Sequence, residues 1–164
     1  MVTLNTGTIE MYREISRRLS DASLINQLQN AFKGKQTLHH LLKWVHTRLI
    51  FDKGQIDRHN DPLNIIEYGR GQCREFSILF MAACLVNGHR ARLILDMSDH
   101  AWVEVWIPKE NRWIHVDPSE KRIDDPLMYE RDWKKKLKEV YAFENGEPID
   151  VTDNYRLTRL THPI

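Results

Sequence analysis

The sequence predicts an α+β domain, with helices packed on one face of an antiparallel sheet. Two observations predict it. Apolar residues recur at helical spacing from Ile9 to Val86, and from Arg90 the period changes to the alternation of strands. Helices come first and antiparallel strands second, the order of a segregated α+β fold. The 164 residues are about one domain's worth, and a hydrophobic share of 41% is enough for a core. The 24 basic and 23 acidic residues leave a net charge of +1, which gives no electrostatic reason to expect a nucleic-acid partner. The longest apolar run, Ile78 to Val86, is far shorter than the ~20 residues of a membrane span, so no membrane partner is expected. No basic start followed by an apolar stretch marks a signal peptide.

Each element has a local reason. Ile9, Tyr12, Ile15 and Leu19 fall on one helical face, and Leu24 or Ile25 with Leu28 and Phe32 on another. Thr37 is the expected N-cap of a third helix over LHHLLKWVHTRLIF, where Leu38, Leu41, Leu42, Val45 and Leu49 form a stripe. DKGQIDRHNDP reads as loop, and Asp61-Pro62 as a cap with proline at the first helical position of PLNIIEY. That helix stops at Gly69-Arg70-Gly71. Another runs from Cys73 to about Val86 and closes on a left-handed cap at Asn87-Gly88. The strands are ARLILD, HAWVEVWI and RWIHVD, with VYAFE and PIDV as later candidates, and the basic run KKKLK reads as a solvated face. Cys73 and Cys84, eleven residues apart on one helix, stand ~16 Å apart at ~1.5 Å rise, whereas a disulfide needs Cα atoms within ~7 Å. They stay unpaired, and a reducing cytoplasm is the expected home.

The chemistry concentrates at three residues. Cys73 opens a helix just after Gly69 and Gly71, where free backbone amides favour an anion, whether a thiolate or the oxyanion of an acyl intermediate. Along the second strand His100, Trp102, Glu104 and Trp106 share one face, and along the third Trp113, His115 and Asp117 do. Pairing Ile107 with Arg112 leaves PKEN as a four-residue loop and sets Trp106 opposite Trp113, Glu104 opposite His115 and Trp102 opposite Asp117. His100 is then diagonal to Asp117, ~7–8 Å away at Cα, within reach of a His–Asp hydrogen bond. One hairpin delivers a base and its orienting carboxylate, and one helix start delivers a thiol. This is the logic of a Cys-His-Asp triad. Trp102 and Trp106, on the face of His100, are candidates to wall the site. Cys84, inside the apolar helix, reads as core. His39, His40 and His46 lie on a helix with no acidic partner at metal spacing, His59 and His89 in loops, His162 in the tail, and His115 reads as a sheet-surface residue. No CxxC, HExxH, Walker loop or GxGxxG occurs, so neither a metal nor a cofactor is expected.

GRGQCREFSILFMAACLVNGHRARLI, DHAWVEVW and RWIHVDPSE, in that order, resemble the Gly-x-Cys helix, His-Ala-Trp strand and Trp…Asp-Pro strand of the transglutaminase-like superfamily. The resemblance implies a papain-like core. DPSEKRIDDPLMYERDWKKKLKEVYAFENGEPIDVTDNYR is similar to the peptide N-glycanase branch in its Asp-Pro-x-Glu, Pro-Leu-x-Tyr-Glu, Trp-x-Lys-Lys-Leu and Asp-Val-Thr steps, and LLKW at Leu41–Trp44 resembles that branch's upstream helix. The resemblance covers Leu38 to Arg156. It divides the chain into a helical extension over 1–35 and a catalytic core over 36–164. It implies Cys73 as nucleophile, His100 as base, Asp117 as orienter, Trp44 beside Cys73 at the oxyanion site, and Glu120 and Trp133 as sugar-binding residues. Cys73-Arg74-Glu75-Phe76 stands where the branch reads Cys-Gly-Glu-Trp, and Asp117-Pro118-Ser119-Glu120 where it reads Asp-Pro-Cys-Glu. The paired CxxC zinc motifs of eukaryotic glycanases are not in this sequence. The expected function is a thiol amidase acting on a protein, peptide or glycopeptide, releasing N-glycan from asparagine through a thioester. A cysteine peptidase or a transglutaminase would use the same triad, and a non-catalytic binding module the same fold.

Overall fold

The computed structural model of the chain describes residues 6–157; residues 1–5 and 158–164, with His162 and the outer ends of both expected segments, lie outside them. In chain order the elements are α1 (Thr6–Leu19), α2 (Ala22–Gln29), α3 (Leu38–Arg48), β1 (Ile50–Phe51), α4 (Pro62–Tyr68), β2 (Arg70–Gly71), α5 (Cys73–Val86), β3 (Ala91–Asp96), β4 (His100–Ile107), β5 (Arg112–Asp117), β6 (Arg122–Ile123), α6 (Met128–Trp133), β7 (Val140–Phe143) and β8 (Ile149–Asp150). The last six strands make one antiparallel sheet in the order β6-β5-β4-β3-β7-β8, and β1 pairs with β2 in parallel. The α+β class is as the change of period predicts. Among the described residues no helix is long and apolar enough to cross a membrane.

The predicted caps hold the helices in place. Thr37 accepts from the His40 amide at 3.3 Å and Asp61 from the Leu63 amide at 2.9 Å, with Pro62 at the first helical position. Gly69 ends α4 with φ 76°, a conformation that glycine enters without a Cβ clash. Helix α5 is buried almost all round, as a central helix should be. It packs between one face of the sheet and α1 to α4, so Tyr12, Leu24, Leu41 and Ile65 share a single core with Leu93, Val103 and Val116. The other face is covered as well. There Ile94, Trp102, Val140 and Ala142 pack against Tyr129 of α6, Leu137 and Tyr155.

The structure corrects several local expectations. Helix α3 stops at Arg48 rather than running on to Phe51, because Leu49 turns extended and Ile50 donates to the Gly69 carbonyl at 3.0 Å. Pairing with the segment that leads to Cys73 outweighs one more helical turn. Helix α2 likewise stops at Gln29, and Phe32 beyond it packs on Trp44 with centroids 4.7 Å apart. The basic run is not a uniform solvated face: Leu137 is buried, and Lys135 reaches the buried Asp96 at 2.8 Å. His115 is buried, not on the sheet surface, because α6 lies over it.

Gly71 marks the tightest approach. A Cβ there would stand 2.5 Å from the Glu75 Cβ. Glu75 cannot step aside, because Arg58 holds its carboxylate through two bonds at 2.8 and 2.9 Å and the Gln72 amide through a third at 3.0 Å. Gly71→Ala is expected to destabilise the fold by about 1–3 kcal/mol through overpacking, read as a lowered urea midpoint at unchanged slope.

Candidate active site

The start of α5 and the start of β4 open onto one cleft of about 600 Å³, lined by Cys73, His100, Ser119, Glu120 and Trp133 among others. Cys73 is the first residue of α5, half-buried and free of any disulfide. Its position is held from two sides. Gln72 Nε2 donates to the Asp52 carbonyl at 3.0 Å, tying the helix start to the chain after β1. Two residues beyond Cys73, the fully buried Glu75 anchors the first turn through Arg58 and the Gln72 amide. Burial pushes the Glu75 carboxyl up, but the bonds from Arg58 and Gln72, with the charges of Arg58 and Arg74, outweigh it and hold the group below its usual range. Cys84 is fully buried in α5, and burial pushes its thiol up, so it is the inert cysteine of the two.

The hairpin register is the one the four-residue loop predicts: Ile107 faces Arg112, Trp106 faces Trp113 and Glu104 faces His115. The ladder ends with Val103 opposite Val116, and continuing its register by one residue sets Trp102 level with Asp117 and His100 diagonal to it. His100 Nε2 and Asp117 Oδ2 meet at 2.7 Å. That bond occupies Nε2 and leaves Nδ1 as the ring's other hydrogen-bonding nitrogen. Burial opposes charge on His100, yet hydrogen bonds to Asp117 and Cys73, with the charges of both, overcome it and raise the imidazole to about 10. Asp117 is fully buried at the end of β5. Burial pushes its carboxyl up, but His100 and the Tyr129 hydroxyl outweigh that and keep it below the usual carboxylate range. Its Oδ1 accepts from Ser119 Oγ at 3.0 Å and the Glu120 amide at 3.2 Å, and its Oδ2 also accepts from Tyr129 at 2.7 Å. The Asp-Pro step is pinned to α3 by His46, whose Nε2 lies 2.6 Å from the Pro118 carbonyl.

The turn before His100 is strained. Asp99 holds φ 128°, a backbone that costs a non-glycine residue of order 1–3 kcal/mol, and it lines the cleft. Its amide donates to the Asp96 carbonyl at 3.0 Å, and the Asp96 carboxylate accepts from the Ser98 amide at 3.2 Å.

The structure brings Cys73, His100, Glu120 and Trp133 to the cleft, with Asp117 directly behind His100. Trp133 is 38% exposed and sets its ring edge-on to His100 at 5.0 Å. Trp102 does not reach the cleft: it is fully buried beneath His100 and stacked on Tyr129 at 4.5 Å. Trp106 packs against Trp113 instead. Trp44 is not at the cleft either. It faces Phe32, with Arg48 over its ring, and its Nε1 is buried without a hydrogen-bond partner. The residue of α3 that turns toward the site is His46, two positions on. Sequence reasoning missed Tyr129 and the Arg58–Glu75 pair. A signal for Tyr129 was present in the Pro-Leu-x-Tyr-Glu step, and one for Glu75, though not for its partner Arg58, in an acid at the third helical position after a cap.

A family model described as the transglutaminase-like superfamily matches residues 22–118, from α2 through Cys73 and His100 to Pro118. A protein of Gallus gallus named peptide-N(4)-(N-acetyl-beta-glucosaminyl)asparagine amidase is 43% identical over 98 residues, which are 60% of this chain and 15% of that protein. Its namesake in Arabidopsis thaliana is 42% identical over 98 residues, 60% of this chain and 14% of that one. The matched stretch thus spans about 15% of the length of these relatives. Among solved structures, a chain from the Rad4/XPC nucleotide excision repair complex superposes with a TM-score of 0.67 at 15% identity, over 92% of this chain and 48% of that one. A chain from Rad4-Rad23 bound to a 6-4 photoproduct UV lesion gives 0.56 at 17% identity, over 90% and 45%. At such identities the likeness is one of fold alone.

Proposed function

Because this chain belongs to the transglutaminase-like superfamily, we propose that it is a cysteine amidase of the peptide N-glycanase kind, with Cys73 as nucleophile, His100 as acid and base, and Asp117 as orienter. The observation that carries the reading is the 2.7 Å bond from His100 to the buried Asp117 at the edge of the cleft that holds Cys73. The names of the relatives and their 43% and 42% identity support the substrate class. In the reaction, the Cys73 thiolate adds to the side-chain carbonyl carbon of a glycosylated asparagine. The backbone N–H of Cys73, without a helical partner at the first position of α5, faces the oxyanion. The C–N bond then breaks, the leaving glycosylamine nitrogen takes a proton from His100, and a thioester remains on Cys73. Water adds to the thioester as His100 takes its proton. The C–S bond breaks, leaving aspartate and the free thiolate. At the rim, the exposed indole of Trp133 offers an apolar face to a sugar ring, and the Glu120 carboxylate accepts from its hydroxyls. The division into an extension over 1–35 and a catalytic core over 36–164 belongs to this reading, with α1 and α2 completing the helical layer around α5. The cytoplasm is its place of work, where a free nucleophilic thiol stays reduced.

Incubation with a denatured N-glycopeptide tests it. Mass spectrometry should show asparagine converted to aspartate with release of the glycan, and Cys73→Ser should abolish both. Backbone cleavage instead would replace this reading with a peptidase, and amine incorporation at glutamine with a transglutaminase. No turnover, together with slow alkylation of Cys73, would make the chain a binding module.

A further inference from the structure

We propose that Tyr129 is a positioning residue for the candidate triad: with His115 behind it, its hydroxyl fixes Asp117 in the orientation that receives His100. The proton positions along this chain of bonds follow from its two ends. At one end the Asp125 backbone N–H, which can only donate, meets His115 Nδ1 at 3.2 Å. Nδ1 is therefore the acceptor, and the His115 proton sits on Nε2. Nε2 lies 2.8 Å from the Tyr129 oxygen and donates to it. At the other end the Asp117 carboxylate can only accept, so Tyr129 gives its single proton to Oδ2 at 2.7 Å. His100 shares the same oxygen at 2.7 Å, while Ser119 and the Glu120 amide occupy Oδ1. Four donors thus fill the carboxylate, which leaves it no freedom to rotate away from His100.

The burial of the relay makes it rigid. Asp117, Tyr129 and His115 are all buried, where an unmade bond is costly. Burial lowers the His115 pKa to about 4 against the nearby carboxylates of Asp117, Asp125 and Asp124, so the ring stays neutral and keeps its tautomer near neutral pH. The Tyr129 ring is seated by its stack on Trp102 at 4.5 Å and edge contacts to His100 at 5.5 Å and Trp133 at 5.1 Å. Its hydroxyl is the part that packing does not require.

The proposal rests on reading Cys73, His100 and Asp117 as a triad, so its test uses no amidase substrate. Iodoacetamide alkylation of Cys73 is timed at about pH 6, where an ordinary thiol is almost wholly protonated, and the deshielded Nε2 proton of His100 is followed by NMR. Tyr129→Phe keeps the ring and removes the hydroxyl. We expect alkylation to slow about tenfold, the effect of one hydrogen bond to a charged group, and the His100 proton to broaden or vanish while the melting midpoint moves by only a few degrees. If wild-type alkylation is fast and Tyr129→Phe matches it in both readouts, Tyr129 is a packing residue only and the proposal falls. If wild-type Cys73 reacts no faster than a free thiol, the triad reading falls and takes this proposal with it. Should Tyr129→Phe fail to fold, 3-fluorotyrosine at position 129, a stronger donor of nearly the same volume, must shift the His100 proton; an unmoved resonance overturns the proposal.

Discussion

Asp117→Asn is expected to leave the fold intact and to cut turnover of the N-glycopeptide by about 10⁴-fold, the scale of the same exchange in a serine-protease triad. The reason lies in the four donors around the carboxylate. An asparagine of the same shape has one oxygen and one NH₂ group. With the NH₂ toward Ser119 and the Glu120 amide, a donor faces donors on that side. With the amide flipped, the NH₂ faces Tyr129 and His100. Either way His100 loses the negative charge that offsets its burial, so its midpoint should fall from about 10. The stability consequence has a definite sign. His100 is raised from 6.5 on folding, so its contribution is full below about 6.5 and is lost as pH rises through 10. Asp117 is lowered from 3.8, so its contribution is present above that value and is lost as pH falls. The gap in melting midpoint between wild type and Asp117→Asn should therefore be widest between about pH 4 and 6.5 and close toward pH 10. Imidazole titration by NMR and melts across pH measure both. A His100 midpoint that does not move in the variant would mean that Asp117 does not orient it.

The pairing that underlies this result was legible because it is local. Strands alternate with period two, so once PKEN is a four-residue loop a single register follows, and it places His100 diagonal to Asp117. The Cys73 helix start was legible for a similar reason, since Gly69 and Gly71 punctuate the chain just before it. What was hidden depends on segments too short to show a period. Alternation puts Trp102 and His115 on a definite face, but whether that face is open is decided by α6, only six residues long, which lays Tyr129 over both. The two-residue strands β1 and β2 carry no period either, so the early end of α3 could not be seen. The Arg58–Glu75 pair joins a loop to a helix 17 residues later, and nothing in local spacing signals that meeting. Trp44 shows the limit of resemblance. A matched position gives the helix but not the side of it, and here that side packs on Phe32.

Trp102→Ala is expected to destabilise the fold by about 3–5 kcal/mol, the usual result of emptying a fully buried aromatic site, and to lower the melting midpoint by roughly 6–20 °C for a domain of this size. The ring stacks on Tyr129 at 4.5 Å and meets Tyr155 edge-on at 4.9 Å, so removing it leaves a cavity beneath α6 and unseats Tyr129. A residue that walled the cleft would behave otherwise. Trp133, 38% exposed and lining the cleft, provides the contrast: Trp133→Ala should raise KM for the glycopeptide with little change in melting. Trp102→Phe, which keeps an aromatic ring on Tyr129, should recover most of the lost stability and leave KM where it was, because no part of Trp102 meets substrate. Any loss of activity in Trp102→Phe should then fall on kcat, through Tyr129 and the Asp117 carboxylate it holds. A rise in KM for Trp102→Phe without loss of stability would show instead that the indole reaches the bound sugar, and that the layer formed by α6 opens when substrate binds.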